Sequence, residues 1–249
     1  PIFWKNLHFV ALFLILKFLY VFLDFRTEFL KMCIDRGIAV GMGNVEGFSV
    51  APMTNFYPAD RARFHGIDPE TLPLLAERGF NRLSMGIQDF DPKVQRAVNR
   101  VQGVDHTLGL VTQARSVGFI SVSVDLIYGL PHQTLDSFQK TLDLIVEARP
   151  DRIATYNYAH LPRMFKAQRL IREEDLPSPQ TKLDLLKRIV EFLTDQGYEY
   201  IGMDHFALPG DELVKARNQG TLQRNFQGYS THADCDLIGL GVTSIGKVD

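Results

Sequence analysis

Two apolar runs that end in polar residues and glycine constrain the fold of this chain more than any other feature. The first is Asn-Arg-Leu-Ser-Met-Gly-Ile-Gln at residues 81–88, and the second is Ser-Val-Asp-Leu-Ile-Tyr-Gly-Leu-Pro at residues 123–131. Helix-type sequence separates them, which predicts a strand, a helix and a second, parallel strand. Because such folds bind ligands at the carboxyl ends of their strands, the polar side chains there are candidates for a site.

The same alternation continues from residue 67 to the end of the chain. Strands are predicted at 80–88, 119–128, 151–159, 198–206 and 236–245. Helices are predicted at 68–79, 91–101, 105–118, 134–148, 178–197 and 211–220. This order predicts an α/β fold with a parallel sheet and right-handed crossovers. Four or five such units, in about 180 residues, favour an incomplete (β/α) barrel.

Composition narrows the class of protein. The chain is 45% hydrophobic and 22% charged, which is typical of a soluble globular protein. Its net charge of -2 and pI of about 6.4 argue against a nucleic-acid partner. The two cysteines, Cys33 and Cys235, form no disulfide framework, which suits a reducing cytoplasm. They are also too few to hold an iron–sulfur cluster.

The N-terminal segment, residues 1–66, differs from the rest. Residues 9–23 are nearly all apolar, although Lys17 interrupts the run. The run is shorter than the roughly 20 residues of a spanning helix, and no cleavage site of a signal peptide follows it. Three interpretations remain open: a membrane anchor, a buried helix or strand pair, and non-native sequence from a shifted reading frame. We favour the third, because residues 42–64 show no convincing element and regular patterns begin only at residue 67.

Polar side chains near the ends of the first two strands are the main candidates for chemistry. Asp125 lies inside an apolar strand, where a lone carboxylate needs a partner or a ligand. Arg100 is either a solvated helix residue or the partner of a carboxylate in the site. Gln88 and Asp89 either belong to the site or cap the next helix.

Other classes of site lack their sequence patterns. His160 and His205 are not spaced as metal ligands, so we expect satisfied structural histidines. The chain has no Gly-x-Gly-x-x-Gly at a strand–helix junction, no P-loop and no Gly-x-Ser-x-Gly. Dinucleotide-binding, P-loop and α/β-hydrolase functions are therefore disfavoured.

Several longer motifs resemble one family. They are Asn-Arg-Leu-Ser-Met-Gly-Ile-Gln-Asp-Phe at 81–90, Asp-Leu-Ile-Tyr-Gly-Leu-Pro at 125–131, Tyr-Ala-His-Leu-Pro at 158–162, Leu-Pro-Ser-Pro-Gln at 176–180, Gly-Met-Asp-His-Phe at 202–206 and Arg-Asn-Phe-Gln-Gly-Tyr at 224–229. Together they resemble the oxygen-independent coproporphyrinogen III oxidases, radical S-adenosylmethionine (radical SAM) enzymes of haem biosynthesis. The resemblance runs from about residue 67 to the end, and the last two motifs are its narrowest.

The resemblance implies a partial (β/α) barrel of the radical SAM type in residues 67–249, in a cytoplasmic protein that is not bound to a membrane. In that family a [4Fe-4S] cluster, reduced by an electron donor protein, cleaves S-adenosylmethionine to a 5′-deoxyadenosyl radical. The radical removes hydrogen from a propionate of coproporphyrinogen III; loss of CO₂ leaves a vinyl group, and two such reactions give protoporphyrinogen IX. The family's S-adenosylmethionine contacts fall on Gln88, Arg100, Asp125, Ala159 and Ile245. Gln227 resembles a residue near the reacting groups.

The chain also departs from the family pattern. The Cys-x-x-x-Cys-x-x-Cys motif that holds the cluster is absent, as is a Gly-Gly-Thr-Pro segment. Arg-Phe-His-Gly stands at residues 63–66, where the family has an acidic residue. An out-of-frame stretch between residues 9 and 67 explains these departures together. The parent enzyme is then the catalyst, and this chain, without metal ligands, is expected to be inactive. The competing hypothesis is a cluster-less module, cytosolic or membrane-anchored, that binds S-adenosylmethionine or a tetrapyrrole.

We predict that the expressed chain binds no iron above background after anaerobic reconstitution with iron and sulfide, because a cluster is held by cysteine thiolates and only two cysteines are present. Iron is measured by atomic emission against a protein of similar size without cysteine. A stoichiometric iron content would contradict the prediction. The nucleotide sequence through codon 67 tests the reading-frame interpretation directly, by showing whether another frame encodes Gly-Gly-Thr-Pro.

Overall fold

The computed structural model describes residues 38–43, 47–52, 70–77, 80–225, 228–231 and 238–240. The strands are β1 Ile38–Gly43, β2 Gly47–Pro52, β3 Phe80–Gln88, β4 Ser121–Tyr128, β5 Arg152–Asn157, β6 Glu199–Gly202, β7 His205–Ala207, β8 Gln223–Asn225, β9 Gly228–Ser230 and β10 Ile238–Leu240. The α-helices are α1 Thr71–Glu77, α2 Pro92–Ala97, α3 Val104–Ser116, α4 Leu135–Ala148, α5 Pro179–Asp195 and α6 Glu212–Gln219. Two short 3₁₀ helices, Lys166–Leu170 and Glu173–Asp175, lie between β5 and α5. No helix in these ranges is long and apolar enough to span a bilayer, and residues 9–23 lie outside them.

Eight of the strands form one sheet in the order β10-β1-β2-β3-β4-β5-β7-β6. The four central strands, β2 to β5, run parallel. On each side of this centre two further strands are added, and each one pairs antiparallel with the strand next to it. The predicted α/β class is confirmed, and β3 has the bounds that the sequence predicted.

Two sequence predictions about strands were wrong. Residues 198–206 form two antiparallel strands, β6 and β7, because the backbone turns at Gly202 (φ 143°) and Met203 (φ 48°). Positive φ ends an extended run, and glycine adopts it with little strain. Residues 42–64 were expected to lack an element, yet β1 reaches Gly43 and β2 follows it as an antiparallel partner.

Local capping explains why the helices begin where the sequence indicated. Thr134 and Ser137 form a reciprocal capping box at the start of α4. The Ser178 hydroxyl accepts a hydrogen bond from the Thr181 amide at the start of α5, directly before a proline. Asp211 caps α6 in the same way. These caps use side chains within three residues, so a single sequence is enough to reveal them.

The central sheet has one apolar face and one polar face. On β4 the apolar face carries Val122, Val124 and Leu126, all buried, and the alternate positions Ser123 and Asp125 are only partly buried. The apolar face forms the main core with side chains of α3, α4 and α5, which include Leu110, Leu142 and Ile189. We call the other side the inner face. Because neighbours in register share a face, it also carries Arg82, Ser84, Gly86, Arg152, Ala154 and Tyr156.

An ion-pair cluster attaches the start of α6 to the amino-terminal end of the inner face. Arg152 binds Asp211 through Nε (2.9 Å) and Glu212 through Nη2 (2.7 Å). Arg82 binds the second oxygen of Glu212 at 2.7 Å. These contacts hold α6 against β3 and β5 at one end of the inner face and leave the carboxyl ends of the strands as the candidate opening.

Replacement of Arg152 by leucine should lower the free energy of unfolding by about 3 kcal/mol, because Asp211 then stays buried without its cation. Urea unfolding followed by circular dichroism measures the change. Arg172→Leu is the matched control, since Arg172 also binds a carboxylate at two points but is largely exposed. Its unfolding midpoint should not move measurably. An equal decrease in the free energy of unfolding in both variants would show that burial does not set the contribution of the Arg152 cluster to stability.

Candidate functional site

Five residues in register form a row across the inner face. Gly86 of β3 pairs with Asp125 of β4, Asp125 pairs with Ala154 of β5, Ala154 pairs with His205 of β7, and Gly202 of β6 pairs with His205. The two functional side chains are therefore separated by an alanine and flanked by glycines. Small neighbours leave room above the sheet, so the row can serve as the floor of a ligand site.

Gln88 ends β3 in a conformation that few residues adopt. Its φ is 67°, and the pairing of β3 with β4 shifts by one residue between Gly86 and Gln88. The side chain is 7% exposed, and its Oε1 is a buried acceptor without a hydrogen-bond partner among the described residues. Backbone strain and an unmet buried acceptor both cost stability, and such features cluster at functional sites.

Arg100 and Asp125 are oppositely charged neighbours at the β3–β4 pair. Nη2 of Arg100 donates to the carbonyl oxygen of Gly86, the residue in register with Asp125. Burial raises the pKa of Asp125 to about 7, against the opposing effect of the Arg100 charge. Burial lowers the pKa of Arg100 to about 10, against the effect of Asp125, so the guanidinium stays charged at neutral pH. The sequence left open whether Arg100 is solvated or paired, and the structure shows it buried beside the carboxylate.

Asp89 does not cap the next helix, which is capped by Asp91. Its carboxylate accepts hydrogen bonds from the Thr141 hydroxyl (2.7 Å) and from Gln133 Nε2. Gln133 also accepts from the backbone amides of Gly129 and Leu130, directly after β4. Burial raises the pKa of Asp89, and these hydrogen bonds oppose the rise. The role of Asp89 is thus to join the carboxyl ends of β3 and β4.

Two buried glutamines hold the segment that carries Arg100. Gln95 Nε2 donates to the carbonyl oxygens of Asp89 and Gln102, and the backbone amide of Arg100 donates to the Gln95 carbonyl. Gln102 Nε2 donates to the carbonyl of Ile87, one residue before Gln88. Sequence reasoning missed both residues, because their hydrogen-bond acceptors are main-chain carbonyls that no sequence motif marks.

Of the remaining predicted site residues, one lies after the end of β5 and the others lie outside the described residues. Ala159 follows the end of β5, is exposed, and accepts a hydrogen bond from Gln168 Nε2 at 3.1 Å. Gln227 and Ile245 lie outside the described residues, as do Cys33 and Cys235. The structure therefore brings Arg100 and Asp125 together, and it places Gln88 two residues after Gly86, the residue to which Arg100 donates. Within the described residues no group of histidine, cysteine and carboxylate side chains could hold a metal ion.

The two histidines differ from each other. His160 Nδ1 contacts the Tyr158 hydroxyl at 3.2 Å, as expected for a structural histidine. The same expectation was wrong for His205, whose buried Nδ1 has no hydrogen-bond partner in the described part of the chain. Its ring meets Tyr156 edge-on, with centroids 6.0 Å apart. Burial lowers the pKa of His205, which favours the neutral imidazole, and burial raises the pKa of Tyr156, with Asp125 and Asp204 adding to the rise.

Comparisons with known proteins show sequence similarity to one superfamily. The sequence model of the Radical SAM superfamily matches residues 23–145, a range that begins inside the atypical N-terminal segment. The oxygen-independent coproporphyrinogen III oxidase of Pseudomonas aeruginosa is 56% identical over 181 residues, which are 73% of this chain and 39% of that protein. The Escherichia coli enzyme of the same name is 54% identical over 182 residues, 73% of this chain and 40% of that protein.

A solved structure shows the same arrangement of elements. The coproporphyrinogen III oxidase of Escherichia coli, described as a radical SAM enzyme, superposes with a TM-score of 0.70 at 54% identity. The match covers 73% of this chain and 42% of that one. The chain thus spans about two fifths of the length of these curated relatives. The predicted partial barrel is confirmed by this likeness.

Gln88 and Gln133 should respond oppositely to loss of their side chains. Gln88→Gly removes a left-handed non-glycine residue and an unpartnered buried amide, so the free energy of unfolding should rise by about 1 kcal/mol. Gln133→Ala removes one hydrogen bond from the buried Asp89 carboxylate and leaves two backbone amides without partners, so the free energy of unfolding should fall by about 3 kcal/mol. Chemical denaturation of both variants beside the parent chain measures the two changes. A clear loss for Gln88→Gly would mean that this residue is retained for stability.

Proposed function

We propose that the chain belongs to the radical SAM superfamily and that residues from about 67 to 249 form part of the barrel of an oxygen-independent coproporphyrinogen III oxidase. The parent enzyme would convert coproporphyrinogen III to protoporphyrinogen IX in the cytoplasm, with electrons from a donor protein. Residues 1–66 are then an atypical segment, although its described strands, β1 and β2, join the sheet of the barrel. Support comes from identities above 50% to enzymes of this name and from the shared arrangement of strands.

The observation that carries the proposal is the buried, unpartnered Oε1 of Gln88 at the end of β3. Gln88 lies two residues after Gly86, which accepts a hydrogen bond from Arg100 and is in register with Asp125. A ligand with hydroxyl, ammonium and carboxylate groups fits this set. S-adenosylmethionine is such a ligand, and we assign it to Gln88, Arg100 and Asp125, with Ala159 and Ile245 adding shape. In this family it supplies the radical that removes hydrogen from the substrate. Gln227 is assigned a position near the reacting groups.

Each residue of the set has a separate chemical task. Arg100 remains protonated and offers a planar fork of donors to a carboxylate. Asp125 and Gln88 offer oxygen acceptors to hydroxyl or ammonium groups. Because the three side chains are largely or partly withdrawn from water, each contact is stronger than it would be at the surface. The packing of the apolar face against the helices and the ion pairs between the sheet and α6 keep this geometry fixed.

The residues of this chain do not fit the iron–sulfur cluster that the family uses. The sequence holds two cysteines, where the family motif supplies three. We derive no catalytic step through a cluster, and we propose that this chain binds its ligands without turnover. That same cysteine count favours the second candidate function, a cluster-less module that binds S-adenosylmethionine or a tetrapyrrole. In a product assay with reduced chain, S-adenosylmethionine and coproporphyrinogen III, we expect no protoporphyrinogen IX. Release of that product would overturn the proposal that this chain binds without turnover.

The affinity for S-adenosylmethionine should depend on pH through Asp125. The pKa of about 7 means that the carboxylate is mostly protonated at pH 6 and mostly ionised at pH 8. Since the ionised form accepts from hydroxyl and ammonium groups, affinity should rise about tenfold over this interval. Isothermal titration calorimetry at several pH values measures it.

Asp125→Asn is the matched control for that titration. It keeps the size of the side chain and removes its ionisation, so the affinity at pH 8 should be lower than in the parent chain. The tenfold rise in affinity between pH 6 and pH 8 should also be lost. Any slope that remains in this variant belongs to the ligand or to other groups and is subtracted. Identical pH profiles in both proteins, or no binding at any pH, would overturn the assignment of this site.

A further inference from the structure

The hairpin of β8 and β9 is seated on the hairpin of β6 and β7 by two glycine contacts. A Cβ atom on Gly202 would lie 2.6 Å from the Tyr229 hydroxyl, and one on Gly228 would lie 3.2 Å from His205 Nε2. The rings of His205 and Tyr229 meet edge-on, with centroids 5.2 Å apart and an interplanar angle of 87°. Each aromatic ring thus rests where the other hairpin has no side chain, which fixes the position of β9.

This seat determines which way Arg224 faces. Arg224 of β8 is in register with Tyr229 of β9. Opposite residues of an antiparallel pair project from the same face, so Arg224 projects from the face that Tyr229 presents to Gly202 and His205. Its charge acts on His205: burial lowers the pKa of that imidazole most, and Arg152 and Arg224 lower it further, against Asp204. The guanidinium of Arg224 is therefore a neighbour of His205.

Arg224 differs from the other arginines around the inner face. Arg82, Arg152 and Arg217 each bind a glutamate or aspartate of the chain. Arg224 is exposed and, within the described residues, forms no ion pair or hydrogen bond. His205 likewise uses neither ring nitrogen in a hydrogen bond to the described part of the protein. One charged donor and one imidazole thus stand together with their hydrogen-bonding capacity unused.

The pair lies on the same cavity floor as the S-adenosylmethionine residues. His205 is in the row of Asp125, two strands away across Ala154, which corresponds to roughly 10 Å. Tyr156, in register with Ile127 just beyond Asp125, reaches the His205 ring from that side. A ligand beside Asp125 therefore has His205 and Arg224 at its far edge.

We propose that Arg224 and His205 form a second subsite of this cavity, which binds a carboxylate side chain of a tetrapyrrole substrate. The inference rests on the proposed function for the substrate class, but its residues are distinct from those assigned to S-adenosylmethionine. A guanidinium binds a carboxylate through two parallel hydrogen bonds, and a neutral imidazole adds one N–H donor. Asp204 beside the pair disfavours additional negative charge, so the subsite takes one carboxylate and not a cluster of them.

Coproporphyrin III, the stable oxidised form of the substrate, is the probe for this subsite. Its fluorescence, titrated with the full chain, gives the dissociation constant. Arg224→Gln should raise that constant about tenfold, which is the typical effect of losing a charged hydrogen bond, and Arg224→Lys should recover part of the loss. Arg188→Gln, on the outer helix α5 with its guanidinium on Gln139, is the control for loss of one positive charge and should leave the constant unchanged.

The tetramethyl ester of coproporphyrin separates carboxylate binding from general attraction of the macrocycle. The ester should bind the parent chain and Arg224→Gln equally, because it has no charge for Arg224 to hold. Equal weakening of acid and ester, an unaffected Arg224→Gln, or no binding of the acid by the parent chain would each overturn the subsite. S-adenosylmethionine titrations of the same variants are scored separately. Arg224-dependent porphyrin binding without S-adenosylmethionine binding would support the subsite and reject the proposed cofactor site.

Discussion

The buried carboxylate of Asp89 holds together the two strand ends from which the candidate site is built. It takes hydrogen bonds from Gln133, which also holds the backbone after β4, and from Thr141 of α4. Gln88 directly precedes it and has no hydrogen bond of its own on Oε1. The left-handed backbone of Gln88 is therefore maintained by its neighbours. In a low-dielectric interior such a network is rigid, which lets the chain retain a strained residue with a free acceptor.

The alternation of side chains along the central strands separates stability from function. Val124 and Leu126 enter the core on one face, and Asp125 between them faces the candidate cavity. The same strand thus supplies core and site. The inner face can be open because its row carries Gly86 and Ala154 beside Asp125, and because α6 and its ion pairs lie at the amino-terminal end. Ligand access is left to the carboxyl ends, where the strained and unpaired groups lie.

Features with local causes could be read from the sequence, and features with distant partners could not. The caps at Thr134 and Ser178 involve neighbours within three residues, and Asp125 stands out because it interrupts an apolar run. For Asp89 the sequence left a helix cap and a site role open, because its partners Gln133 and Thr141 are 44 and 52 residues away. The division of residues 198–206 into two strands was missed because apolar residues continue on both sides of the turn. The sequence did not reveal the environment of His205 either, because its ring neighbours come from the distant strands β5 and β9.

The burial of Arg100 and Asp125 has an energetic cost that each charge partly offsets for the other. Each group loses hydration on burial, and each reduces the cost of burying the other. Compensation is incomplete, because the pKa of Asp125 remains near 7, above that of an exposed carboxyl. A ligand that donates to Asp125 and to the unpartnered Oε1 of Gln88 would further offset this cost. Burial of these groups lowers the stability of the free protein, and a bound ligand that pairs with them would offset this cost. The offset adds to the free energy of binding and favours ligands with matching groups.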